Sequence, residues 1–164
     1  MSVTAIVGIV VVAAVIFVFL FLRSAEEVKV RISQIPDVVA QLKATGKESS
    51  FAVFLFMPEG KYAHDDEEKV NLQYSIESGR VGLDWVLLGP QNLTDQEEIA
   101  NYIRDRGFAA NMREENNVRY LRVEDGDIAT LGVKIATDFY HLDPTSEVDL
   151  IVESFDWKSG TEPS

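Results

Sequence analysis

The sequence predicts an α+β protein: one N-terminal transmembrane helix, then a single domain with a mostly antiparallel sheet and two helices on one face. Three observations carry that expectation. Ala5–Leu22 is an unbroken run of eighteen apolar or glycine residues. Val70–Glu77 alternates apolar and polar side chains and is followed by a turn and a second apolar run, the pattern of a β-hairpin. Two later stretches repeat apolar residues at helical spacing: Ile99, Tyr102 and Ile103, then Ile128, Leu131, Ile135 and Phe139.

Residues 1–4 form a short tail before the first segment. A buried strand runs about 4–8 residues, so the length of Ala5–Leu22 argues for a helix. At about 1.5 Å per residue it reaches roughly 27 Å, close to the thickness of a bilayer's hydrocarbon core. A cleaved signal would carry a basic start and a small-residue cleavage site. Met1–Thr4 holds no Lys or Arg, and Arg23 stands where the small residues belong, so retention is expected. Arg23, Lys29 and Arg31 follow the span, which places the N-terminus outside and the C-terminal domain in the cytoplasm of a single-pass cell-membrane protein.

Residues 23–47 read as an amphipathic juxtamembrane connector. Val28, Ile32, Ile35, Val39 and Leu42 recur at 4-3-4-3 spacing, the seam of a coiled coil. Pro36 interrupts the pattern and suits the first turn of a new helix ending near Gly46. The stretch is expected to pack on its own domain, with a homo-oligomeric stalk through Val28–Leu42 as the alternative.

The domain proper is expected over residues 48–157. Phe51–Met57 is a short apolar run that reads as a buried strand, and Val70–Glu77 as a half-buried one. Ser78-Gly79-Arg80 turns into a third strand, Val81–Leu88. Thr94 with Glu97 forms a capping-box pattern at the start of a helix that Gly107 closes. Phe108–Glu114 and Val118–Glu124 read as strands joined at Asn116-Asn117, residues that tolerate left-handed turns. A second helix runs from Asp125-Gly126 to His141, with Gly132 and Ala136 letting it approach the sheet closely. Val148–Phe155 is the last strand, and residues 158–164 are expected to be a disordered tail. The order is β-β-β-α-β-β-α-β, whose last six elements spell a ferredoxin-like variant. That order makes Val81–Leu88 central and leaves no slot for its hairpin partner, so a larger sheet or another pairing is implied.

Beyond Arg23 the chain has 14 basic and 27 acidic residues, a net charge of −13. Phosphate contacts need clusters of Lys and Arg, so nucleic acid is not an expected partner. A basic protein is. Cysteine is absent, which excludes disulfides and thiolate metal sites. No cofactor is implied.

Candidate sites are sparse. His64, Asp65 and Asp66, with Glu67 and Glu68, are the densest set of possible metal ligands for a hard cation, but the spacing matches no EF-hand and a charge run in a polar loop is usually just solvated. His141 lies near a helix C-terminus with Asp143 beside it, an arrangement that suits a cap or a base. Asp84 stands in an otherwise apolar strand and Glu153 in another. On neighbouring strands the two could act as an acid–base pair. Tyr120 with Arg122, and Phe155 with Trp157, read as a binding patch or as ordinary cover over the sheet. The resulting expectation is an acidic protein-binding or adaptor module at the membrane, inhibitor-like or immunity-like. The alternative is a small membrane-tethered enzyme that uses carboxylates or His141.

Overall fold

In the computed structural model, which describes residues 28–58 and 69–159, seven strands form one sheet in the order β1-β7-β2-β3-β4-β6-β5. The strands are β1 (Val28–Arg31), β2 (Phe51–Phe56), β3 (Val70–Glu77), β4 (Arg80–Val86), β5 (Asn111–Glu115), β6 (Val118–Val123) and β7 (Glu147–Glu153). Every pairing is antiparallel. The helices are α1 (Ile35–Thr45), α2 (Pro90–Thr94), α3 (Gln96–Asp105) and α4 (Ile128–Lys134), the last continued by a π-helical turn over Ile135–Phe139. The α+β class with an antiparallel sheet is therefore as expected.

The heptad-spaced stretch is where local pattern and structure part. Val28–Arg31 is a strand paired with β7, Ile32–Gln34 is a 3₁₀ turn, and only then does α1 begin, with Pro36 in its first turn. Ile32, Ile35, Val39 and Leu42 are buried in the chain's own core rather than in a seam offered to a second copy. What reads as a connector is thus a sheet edge and a core helix. Tertiary pairing overrides the spacing because β7 offers an open edge to Val28–Arg31.

The expected ferredoxin-like order is not formed. In it β7 would lie beside β4, but β3 takes that place and β2 and β3 separate the two. The tight turn at Ser78 (φ 52°) and Gly79 (φ 73°) pairs β3 with β4 at once, and such local closure wins over a distant strand. The corresponding turn at Asn116 (φ 49°) and Asn117 (φ 66°) joins β5 to β6 as expected.

Helix ends also shift. Pro90 starts α2 before Thr94, so Thr94 ends that helix and forms no capping box with Glu97. Gly107 adopts the left-handed conformation (φ 81°) after α3, as expected. Asp127, not Asp125, caps α4: its carboxylate accepts from Thr130 N at 3.0 Å and Thr130 Oγ1 at 2.7 Å. The chain end is tied down as far as Lys158, whose main chain exchanges hydrogen bonds with the Gln41 side chain.

The buried side chains of α1, α3 and α4 all enter one core with Phe54, Leu72, Tyr74, Leu83, Trp85, Leu121 and Leu150 from the first face of the sheet. The second face carries two smaller clusters. Phe51, Val53 and Leu55 pack with Ile151, and Val86 and Val118 pack with Leu88 and Tyr120. Between them lies a polar row. β3 is accordingly buried on both faces, and Asn71, Gln73 and Ser75 are buried polar residues, where the alternation predicted a solvated side. Among the described residues no helix is long and apolar enough to cross a membrane, and Ala5–Leu22 lies outside them.

Candidate functional site: a buried Asp84–Arg122 pair

Asp84 on β4 faces the second side of the sheet, opposite Gln73 on β3 and Arg122 on β6. Both charged residues are buried, with 1% and 0% of their surface exposed. An isolated buried charge is costly, so the geometry around each must compensate. Arg122 Nη1 donates to Asp84 Oδ1 at 2.7 Å and to Oδ2 at 2.9 Å. Ser75 Oγ donates to Asp84 Oδ2 at 2.5 Å and accepts from Arg122 Nη1 at 2.9 Å. The rest of the guanidinium is also engaged. Nη2 reaches Arg80 O at 3.0 Å and Ser75 O at 3.3 Å, and Nε reaches Glu124 Oε1 at 2.8 Å.

Gly82 makes this possible. A Cβ there would stand 2.4 Å from Arg122 Cζ, so the guanidinium lies where any other residue would place a side chain. Around the pair, Glu77 accepts from Tyr120 Oη at 3.0 Å and Arg113 Nη1 at 2.9 Å, and Arg80 reaches Asp125 at 2.6 Å.

Burial pushes the Asp84 carboxyl up to about 7, against the opposing pull of Arg122 and Ser75. For Arg122 burial acts downward, but Asp84, Glu124 and Glu77 outweigh it and hold the guanidinium above its ordinary value. The guanidinium of Arg122 in turn draws the partly exposed Glu124 below the usual carboxylate range. Chemically the cluster is a closed ion pair. Ser75 Oγ has a carboxylate as acceptor, among the described residues no imidazole is bonded to it, and Arg122 is a permanent donor.

The other sequence candidates do not join it. Glu153 is on β7, with β2 and β3 between it and β4, so the two carboxylates are three strand spacings, about 14 Å, apart and form no acid–base pair. His141 is exposed in a left-handed conformation (φ 63°) after the π turn. Asp143 does not orient it, because its Oδ1 accepts from Thr145 N at 2.7 Å and Thr145 Oγ1 at 2.5 Å. His64, Asp65 and Asp66 lie outside the described residues, and among those described no group of three or more His, Asp or Glu is placed to hold a metal ion. Phe155 and Trp157 pack against the main core as cover.

Arg122 is the residue that pattern reading misplaced, as part of a surface patch. The signal that could have found it is a charge between apolar neighbours in each strand: Asp84 between Leu83 and Trp85, and Arg122 between Leu121 and Val123.

Two further features complete the polar architecture. Asn92 is buried, accepting from Asn71 N at 3.0 Å and donating to Asn71 O at 2.7 Å and Val86 O at 3.0 Å, which closes the ends of β3 and β4. An open groove of about 530 Å³ lies at the opposite end of the hairpin, lined by Lys43, Lys47, Glu48, Arg80, Glu124 and Asp127 among others. Neither Asp84, Glu153 nor His141 lines it.

No protein-family model matches the chain, and no curated protein or solved structure matches it either.

Proposed function

We propose that this chain is a membrane-anchored, acidic protein-binding or adaptor module, with an inhibitor-like or immunity-like role against a basic partner as its concrete form. The observation that carries the reading is the division of its acids. Asp84, the carboxylate best placed in the sequence for chemistry, is enclosed and matched by Arg122. Glu97, Asp105, Glu114, Asp138, Glu147 and Glu153 remain exposed on α3, β5, the π turn and β7. Exposed charge of one sign steers a partner of the other sign and fixes its orientation. In this reading Ala5–Leu22 holds the domain at the cytoplasmic side of a bilayer with the N-terminus outside.

The test is capture from detergent-solubilised membranes with the full chain as bait. Glu97→Lys, Asp105→Lys and Glu114→Lys together are expected to lower recovery of a basic protein several-fold while the domain stays folded. Unchanged recovery would remove the electrostatic basis of the reading. Orientation is read from protease access in inside-out vesicles, where digestion of the C-terminal domain is expected and protection would reverse the assignment.

A further inference from the structure

The groove beside the hairpin turn combines an apolar floor with cations that the fold leaves unused. It lies between the end of α1, the β3–β4 turn and the start of α4. Its volume of about 530 Å³ falls within the range of about 300–1,000 Å³ usual for small-molecule sites. Val81 and Ala129, both half-buried, form the floor with the edges of Val39, Ile76 and Ile128. The rim carries three cations, Lys43, Lys47 and Arg80, and three acids, Glu48, Glu124 and Asp127.

These charges are equal in number but not equally free. Glu48 accepts from Ser78 N at 2.8 Å and Gly79 N at 3.1 Å, which pins the hairpin turn. Glu124 is held by Arg122 Nε at 2.8 Å and Arg113 Nη2 at 3.2 Å, and Asp127 caps α4 through Thr130. Each acid therefore already has donors from the fold itself. Lys43 and Lys47 are exposed, and their ammonium groups form no ion pair among the described residues. Arg80 reaches Glu124 only at 3.3 Å, and its nearer partner, Asp125, is 85% exposed. A surface pair of that kind is weak and readily exchanged. The unspent capacity of the groove is donors, so its ligand must bring the acceptors.

The geometry points to a binding site for an amphiphilic phosphate, with its head among Lys43, Lys47 and Arg80 and its apolar body on Val81 and Ala129. A phosphomonoester carries about two negative charges near pH 7 and three acceptor oxygens, more than a carboxylate brings to the same cations. The apolar floor favours an ester with a hydrocarbon body over the bare ion. A free alkyl phosphate and the headgroup of phosphatidic acid offer the same chemistry. The site is separate from the exposed acids that carry the proposed capture of a basic partner, so either can fail without the other.

The full chain in neutral detergent micelles is titrated with butyl phosphate. The amide signals of Gly46, Gly79 and Gly126, which line the groove, are followed by NMR. Saturable shifts are expected, with butyrate and inorganic phosphate each binding at least about fivefold more weakly. Lys43→Glu with Lys47→Glu is expected to weaken butyl phosphate by at least about tenfold. Arg119→Glu, at an exposed position outside the groove, should alter it by less than about twofold. Absence of saturable shifts overturns the inference, as does equal binding by the doubly substituted chain. Butyrate or inorganic phosphate binding as tightly as butyl phosphate overturns the assigned ligand class. Micelles doped with phosphatidic acid separate the two sources. The same glycine shifts with the lipid support a headgroup site, shifts with butyl phosphate alone support a soluble ligand, and shifts with neither overturn both.

Discussion

Arg122 satisfies one buried acid and two neighbouring ones, so its removal should cost more than the loss of a surface ion pair. Arg122→Met leaves Asp84 buried without its cation and is expected to destabilise the fold by about 3–5 kcal/mol in urea unfolding. Asp84→Leu with Arg122→Met removes both charges and is expected to cost less than Arg122→Met alone. A double variant as unstable as the sum of its singles would show that the two side chains act independently. The pair also sets a pH dependence. The Asp84 pKa rises from 3.8 to about 7 on folding, so the folded state holds this proton more tightly than the unfolded chain. Stability from this group is therefore greatest at low pH and falls as pH rises through that interval. The stability of the wild type relative to Asp84→Asn should fall across it, by at most about 4 kcal/mol at roughly 1.4 kcal/mol per pKa unit. A pH-independent difference would mean that the carboxylate is already ionised throughout.

Elements meet at positions where one side chain is missing. Gly132 of α4 lets Tyr74 of β3 donate its hydroxyl to Ile128 O at 2.9 Å, and a Cβ at Gly132 would stand 1.9 Å from that hydroxyl. Gly132→Ala is expected to lower stability by about 1–3 kcal/mol, with Tyr74→Phe in the same chain recovering part of the loss in thermal unfolding. No recovery would place the strain elsewhere. The apolar stripe of this helix and the role of Gly132 were legible from spacing alone. Its π-helical ending was not, because Tyr140 N bonding to Ile135 O is settled by how Phe139 and Tyr140 pack with Phe56, Trp85 and Tyr102. The same limit explains α3. Thr94 and Glu97 have the spacing of a capping box, but Pro90 begins a helical turn earlier, and Asp95 takes the junction, bonded to Gln91 and to the Tyr140 hydroxyl.

Across the whole molecule, the acidic balance makes a prediction of its own. Capture of a basic partner should weaken as salt rises from about 0.05 M to about 0.5 M, because screening shortens the reach of exposed charge. Capture that ignores salt would point instead to an apolar interface. Of the candidate site, Asp84 was legible as an acid inside an apolar strand, while its partner was not. Arg122 lies 38 residues away and meets Asp84 only because β6 pairs with β4 in that register.

The local pieces are written in the chain: an eighteen-residue apolar segment, six of the seven strands, the hairpin turns, the apolar faces of α3 and α4, and a strongly acidic balance. Periodicity and turn chemistry act between near neighbours, so they can be read from the chain directly. Long-range pairing makes Val28–Arg31 a strand, puts β2 and β3 between β7 and β4, and sets Asp84 opposite Arg122 instead of Glu153. Those outcomes depend on which strand edges meet and in what register, a competition among distant segments that no local pattern records.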